Sequence, residues 1–265
     1  MKKRLLSLAA FVLSLNGYAA NDAAWMRYCA ISPDGQQIAF SYKGDIYTVG
    51  VNGGRANQIT TNPAHNTRPI WSPNGQQIAF ASDRLGGMDI YIVDKEGGIP
   101  TRITTHSGNE TPLAFKDNGH ILFQANILPA ADDMQFASAQ FPQVYEVSTS
   151  GGRPIMFSSM PMEDISISAD GKTLLYHDKK GYEDNWRKHH TSSITRDVWM
   201  CNLDGKRSYK KLSTFNGEDR TPVWANADTY YYLSEQNGSF NVFKANLNEG
   251  NPIQVTKHDK HPVRF

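Results

Sequence analysis

The sequence predicts an all-β chain: a β-propeller of four-stranded antiparallel blades, with five complete blades and the first strand of a sixth. Three observations carry this. A segment of roughly 40 to 55 residues recurs along the chain, the range expected of four-stranded propeller repeats. Each copy alternates β-branched or aromatic residues with others, as half-buried strands do. No segment beyond the first 20 residues has convincing helical periodicity.

The opening half of each repeat is a hairpin. Cys29-Ala-Ile-Ser-Pro-Asp-Gly-Gln-Gln-Ile-Ala-Phe40 returns as Pro69-Ile-Trp-Ser-Pro-Asn-Gly-Gln-Gln-Ile-Ala-Phe80, shifted by 40 positions. Degenerate copies run Pro112 to Phe123, Ile165 to Tyr176 and Pro222 to Leu233. Pro-Asp-Gly and Pro-Asn-Gly pre-set one φ and then supply residues that tolerate the left-handed region, so the chain reverses. The anchor residues of the first strands are Ile31, Trp71, Phe115, Ile167, Trp224 and Phe265.

The third strands follow as Asp45-Ile-Tyr-Thr-Val49, Asp89-Ile-Tyr-Ile-Val93, Gln143-Val-Tyr-Glu-Val147, Asp197-Val-Trp-Met-Cys201 and Asn241-Val-Phe-Lys-Ala245. Each precedes a Gly-Gly, Asp-Gly or Glu-Gly turn. Closing segments come next: Gln58 to Thr60, Arg102 to Thr104, Pro154 to Met156, Lys211 to Ser213 and Gln254 to Thr256. Tyr47, Tyr91, Tyr145, Trp199 and Phe243 fall on one repeat position and read as core between blades. His261-Pro-Val-Arg-Phe265 resembles Thr67 to Trp71 and opens a sixth blade that the 265 residues do not finish. A single unpaired strand leaves an exposed sheet edge, so the sequence reads as part of a longer protein.

The first 19 residues read as a secretory signal peptide: Lys2-Lys3-Arg4, an apolar run from Leu5 to Leu15, and Gly17-Tyr-Ala19 before the cleavage point. The domain plan is therefore a leader over 1–19 and an incomplete propeller over 20–265. The expected location is outside the cytoplasm, in the periplasm. No stretch reaches the roughly 18 apolar residues of a membrane span. The net charge is +1, and losing three basic residues with the leader turns it to −2. That excludes a generic basic footprint for nucleic acid. Two cysteines exclude a disulfide scaffold. Cys29 and Cys201 fall three blades apart in the repeat register, so they are expected as two unpaired, buried thiols.

The repeats differ most between their second and third strands. Phe40 to Ile46 spans 6 positions and Phe80 to Ile90 spans 10, but Phe123 to Val144 spans 21 and Tyr176 to Val198 spans 22. Both long connections leave the same face of the propeller, side by side, and long loops on a rigid scaffold are where function is placed. The first insertion, Asn126 to Phe141, is apolar and acidic. The second places Trp186 and Arg187 beside His189 and His190. These four are candidates for binding a peptide carboxylate or another acidic group, with Arg giving bidentate contact. The alternative is a solvated hairpin packed on the next blade. Adjacent His189 and His190 point to opposite faces of an extended segment, which is a poor metal signal. His258, Asp259 and His261 are a second weak metal cluster.

The second copy, Trp71-Ser-Pro-Asn-Gly-Gln-Gln-Ile-Ala-Phe-Ala-Ser-Asp-Arg84 followed by Asp89-Ile-Tyr-Ile-Val-Asp94 and Arg102-Ile-Thr104, resembles the WD40-like "PD40" repeats of TolB and tricorn-protease propellers. The stretch Glu183-Asp-Asn-Trp-Arg-Lys-His-His-Thr-Ser-Ser-Ile-Thr-Arg-Asp-Val-Trp199 resembles exported bacterial tricorn-like peptidases of family S41. The resemblance spans Tyr28 to Phe265. It implies a propeller that gates or guides peptides or unfolded polypeptide to a serine-protease core on downstream domains. TolB-like interaction propellers and the propellers of S9-type oligopeptidases are the alternatives. No Gly-x-Ser-x-Gly, His-Glu-x-x-His or Gly-x-Gly-x-x-Gly occurs. No catalytic residue, cofactor or metal site is therefore assigned. Ser168-Ala-Asp-Gly-Lys-Thr173 reads as another hairpin turn.

Overall fold

A computed structural model of the chain describes residues 25–127, 141–182 and 191–263. Those residues form five four-stranded antiparallel sheets. The first holds β1 (Arg27–Ile31), β2 (Gln37–Tyr42), β3 (Asp45–Gly50) and β4 (Asn57–Gln58). The second holds β5 (Asn66–Trp71), β6 (Gln77–Leu85), β7 (Gly87–Asp94) and β8 (Thr101–Arg102). The third holds β9 (Thr111–Asp117), β10 (His120–Ala125), β11 (Gln143–Ser148) and β12 (Ile155–Ser158). The fourth holds β13 (Met162–Ile167), β14 (Thr173–Asp178), β15 (Val198–Asn202) and β16 (Ser208–Lys211). The fifth holds β17 (Asp219–Trp224), β18 (Thr229–Ser234), β19 (Asn241–Asn246) and β20 (Ile253–Gln254). Every sheet keeps sequence order, and the first strands of consecutive sheets pack on one another. This is the propeller arrangement, with the first strands nearest the axis.

Side-chain chemistry fixes the hairpins. Ser32 Oγ donates to Asp34 Oδ1 at 2.6 Å and accepts from Gln37 N at 2.9 Å. Ser72 with Asn74, and Ser168 with Asp170, repeat the pattern. The following glycines, Gly35, Gly75 and Gly171, sit at φ of 70°, 67° and 71°, a region costly for residues with a Cβ. Ser168 to Thr173 is thus a hairpin turn, as expected.

The core lies between blades. Ala39, Ile46 and Ile59 of the first blade meet Trp71, Ile78, Phe80, Tyr91 and Val93 of the second. Equivalent clusters fill the next three junctions. Aromatic pairs across the second and third strands recur: Phe40–Tyr47, Phe80–Tyr91, Phe123–Tyr145 and Tyr232–Phe243, with centroids 5.9, 6.1, 5.7 and 6.0 Å apart. Tyr91, Tyr145 and Phe243 are buried, while Tyr47 and Trp199 are only half-buried.

Tyr47 owes its exposure to its position. The ring is open between the fifth and first blades: among the described residues, no strand pair there packs as consecutive blades do. On the first blade, Ile31 is 58% exposed where its counterpart Trp71 is 8% exposed. On the fifth, Val223, Tyr231 and Val255 are exposed where Ile70 is half-buried and Ala79 and Ile103 are buried.

One expectation is not confirmed and one needs correction. The described residues of the sixth copy, through Val263, form no strand. Val263 N donates to Phe240 O at 2.9 Å, the bond that Asn66, Glu110 and Asp219 make to Gly44, Met88 and Arg196. Val263 therefore takes the Asn66 position. Phe265 itself lies outside the described residues. Second, both cysteines are unpaired as expected, but Cys29 is exposed and only Cys201 is buried. Cys29 lies on the first blade beside the open junction, where no neighbour covers it.

Candidate functional site

The long connections of the third and fourth blades leave from one face. Ladder pairing in the second-to-third hairpins ends at Tyr42↔Asp45, Leu85↔Gly87, Ala125↔Gln143 and His177↔Val198. The two insertions thus rise from neighbouring blades at equivalent positions. Their stems are tied down. Tyr145 Oη donates to Ile127 O at 2.8 Å, and Gln143 Nε2 donates to Phe141 O at 3.1 Å. Lys180 Nζ donates to Thr195 O at 2.7 Å and to Asp197 Oδ2 at 2.5 Å. The candidates Trp186, Arg187, His189 and His190 lie outside the described residues.

Between these two blades lies a cleft of about 500 Å³ lined by Phe157, Met160, Tyr176, Trp199, Arg207 and Tyr209, with Asp178 at its edge. The Arg207 guanidinium stacks 3.9 Å from the Phe157 ring centroid and donates to Phe157 O. Asp178 accepts from Trp199 Nε1 at 3.1 Å and from Asp197 N at 2.8 Å. The carboxylate therefore orients the indole, which stands half-buried at the wall of the cleft. Burial pushes the Tyr176 hydroxyl well above its usual value, so it stays a neutral donor. Aromatic walls with one guanidinium suit an apolar side chain next to a carbonyl or carboxylate.

A charged network ties the fourth blade to the fifth on the same face. Arg196 and Glu218, both 7% exposed at their side chains, pair at 2.8 Å. Arg220 joins Glu218 at 3.4 Å, and Lys179 pairs with Glu163 at 3.0 Å. His177 Nδ1 accepts from Thr221 N at 3.2 Å, so its proton sits on Nε2, which donates to Glu163 at 3.2 Å. Both ring nitrogens are thus committed, and neither is left to activate a nucleophile. Burial works to raise the Glu163 carboxyl, but the His177 and Lys179 contacts outweigh it and hold Glu163 well below the usual range.

Sequence reasoning placed Trp199 in the core between blades and did not single out Tyr176, Arg207 or Tyr209. The usable signal was the fourth blade's departure from the repeat, with Tyr176–Trp199 in place of Phe–Tyr and Ser208-Tyr-Lys-Lys211 leading the closing segment. Among the described residues, no group of three His, Cys, Asp or Glu could hold a metal ion, and no helix is long and apolar enough to cross a membrane. His258 N donates to Asn241 Oδ1 at 2.8 Å, a loop contact.

The profile of the tricorn protease N-terminal beta propeller domain matches residues 23–265. The chain belongs to this family. The propeller of tricorn protease superposes with a TM-score of 0.71 at 18% identity, covering 89% of this chain and 23% of that one. TolB from Agrobacterium tumefaciens gives 0.66 at 15% identity, covering 86% and 79% of the two chains. The propeller of the trilobed protease from Pyrococcus furiosus gives 0.56 at 13% identity, covering 88% and 71%. At these identities the likeness is one of fold. The tricorn N-terminal propeller chain described here spans under a quarter of the tricorn protease it matches. No curated protein sequence matches it.

Proposed function

We propose that this propeller binds and guides peptide segments for a tricorn-like serine peptidase of family S41 whose catalytic core lies on other domains. Family membership over residues 23–265 carries the reading. The aromatic cleft between the third and fourth blades supports peptide contact, because it combines apolar walls with Arg207. Trp186, Arg187, His189 and His190, on the fourth blade's long connection, are further candidates for the proposed peptide site. The open junction between the fifth and first blades, with apolar residues on both sides, supports a sixth blade seated there. Export to the periplasm rests on the leader-like residues 1–19, with the propeller over 20–265.

The likeness to TolB, which covers 79% of that chain, favours a second reading, an interaction propeller without an attached catalytic core. The propeller-bearing acylaminoacyl peptidase at 14% identity keeps an S9-type arrangement as a third. One experiment separates binding from catalysis. The 265-residue chain is treated with a fluorophosphonate serine-hydrolase probe and then titrated with apolar peptides while Trp fluorescence is followed. The first reading expects no labelling and a saturable fluorescence change. Strong labelling of this chain overturns it.

A further inference from the structure

The junctions between blades are built from one repeated contact. At three junctions the residue at or just before the start of the first strand donates its backbone N–H to the preceding blade, as Asn66 to Gly44, Glu110 to Met88 and Asp219 to Arg196, at 2.8, 2.7 and 3.0 Å. That bond places its side chain next to one repeat position near the start of the preceding blade's third strand: Asp45, Asp89 or Asp197. The first junction pairs a carboxylate with an amide, and Asn66 Nδ2 donates to Asp45 Oδ1 at 3.3 Å. The second pairs Asp89 with Glu110. Both are buried, at 1% and 0% exposed. Asp89 Oδ1 and both Glu110 carboxyl oxygens make no hydrogen bond of good geometry, although Thr104 and the His106 backbone lie against the Glu110 carboxyl. The third junction has Gln143 and Met162 at these places and needs no proton.

Charge at the second junction does not balance. Arg102, on β8, pairs with Asp89 Oδ2 at 2.8 Å. Tyr91, on β7, and Thr104 also face the site and bring no charge, and His106 contributes only backbone. One guanidinium thus faces two carboxyls. A buried carboxylate without a partner is too costly to keep, so such a group takes a proton. We propose that Glu110 is a proton-operated latch between the second and third blades, neutral while the junction is closed and ionised when it loosens. Asp219 is a weaker version. Asp197 already holds Lys180 and Lys211, at 2.5 and 2.8 Å, and Ser213 and Ser234 lie against Asp219, as do Tyr230 and Tyr232. Burial pushes Glu110 up to about 7 and Asp219 to about 6, in that order.

Linkage gives the sign. The folded state holds the Glu110 proton to higher pH than the unfolded chain, so stability is full below the ordinary carboxyl range and falls as pH rises towards 7. The test is the thermal midpoint of the 265-residue chain from pH 5 to 8.5, for the parent, Glu110→Gln and Asp219→Asn. The parent is expected to lose on the order of 5 °C across this range. Glu110→Gln, which supplies the amide that Asn66 supplies in the first junction, should remove most of that loss and exceed the parent at pH 8. Asp219→Asn should remove a smaller part, at lower pH. A parent midpoint that does not fall, or a Glu110→Gln variant that falls as steeply, overturns the proposal. A second readout needs no variant. Infrared spectra of the parent at pH 6 should carry a protonated-carboxyl band that disappears by pH 8.5, and its absence at pH 6 also overturns the proposal.

Discussion

Tyr28, Arg68, Asp164 and Thr221 occupy one position in four blades, each with φ between 49° and 53°. Each lies at a register shift of the first strand. The third blade has Pro112 there, and a proline ring holds φ near −65°. Partners change with it. Ser41 Oγ accepts from Arg68 N and His177 Nδ1 accepts from Thr221 N, both at 3.2 Å. Ala81, facing Pro112, offers no acceptor and needs none, because proline has no N–H. None of this was legible in the sequence, since strand propensity does not report a bulge. Two variants test the account at this scale. Arg196→Met leaves buried Glu218 with only Arg220 at 3.4 Å and should cost about 3–5 kcal/mol by urea unfolding, while adding Glu218→Leu should recover much of it. Thr104 Oγ1 accepts the buried Ile90 N–H at 2.9 Å. Thr104→Val should cost about 1–3 kcal/mol in the same assay, and Thr104→Ser much less.

The strands were largely legible as elements, because period-2 patterning and the Ser-x-Asp/Asn-Gly turns repeat visibly. Asp45 to Val49 was expected and Asp45–Gly50 observed; Asp89 to Val93 was expected and Gly87–Asp94 observed. The closing strands were not. Gln58 to Thr60 was expected, but β4 ends at Gln58. Ile59 N turns inward to Ile46 O at 2.8 Å, and Thr60 Oγ1 takes the Ile46 N–H at 2.9 Å. The fourth closing strand lies at Ser208–Lys211 for the same reason, since Leu212 N bonds Val198 O at 2.8 Å. The cleft was missed because Trp199 sits at a core position of the repeat, and its bond to Asp178 is not visible in the repeat pattern. The third blade's hairpin is paired up to Ala125↔Gln143, and its stem is held by the Tyr145–Ile127 and Gln143–Phe141 bonds, outside residues 128–140. Replacing residues 128–140 by a short glycine-containing turn should therefore shift the thermal midpoint by no more than a few degrees. A collapse of the fold would show that this insertion is structural.

The described residues form a ring open between the fifth and first blades, and pH acts on its junctions in both directions. Glu163 is held ionised, so its contribution is present above the ordinary carboxyl range and is lost as pH falls below it. Glu110 and Asp219 act in the opposite sense. Midpoints measured from pH 3 to 9 should therefore pass through a maximum near pH 5. Under the proposed function, this tricorn N-terminal propeller holds peptides at the cleft between its third and fourth blades, and their cleavage falls to other domains. The most direct test is a calorimetric titration of the chain with an apolar peptide, repeated with a Trp199→Ala/Arg207→Ala variant of unchanged circular dichroism. Saturable binding should weaken on the order of tenfold or more, the effect of losing about 1.4 kcal/mol or more. Equal affinity in parent and variant, or no binding to the parent, would contradict it.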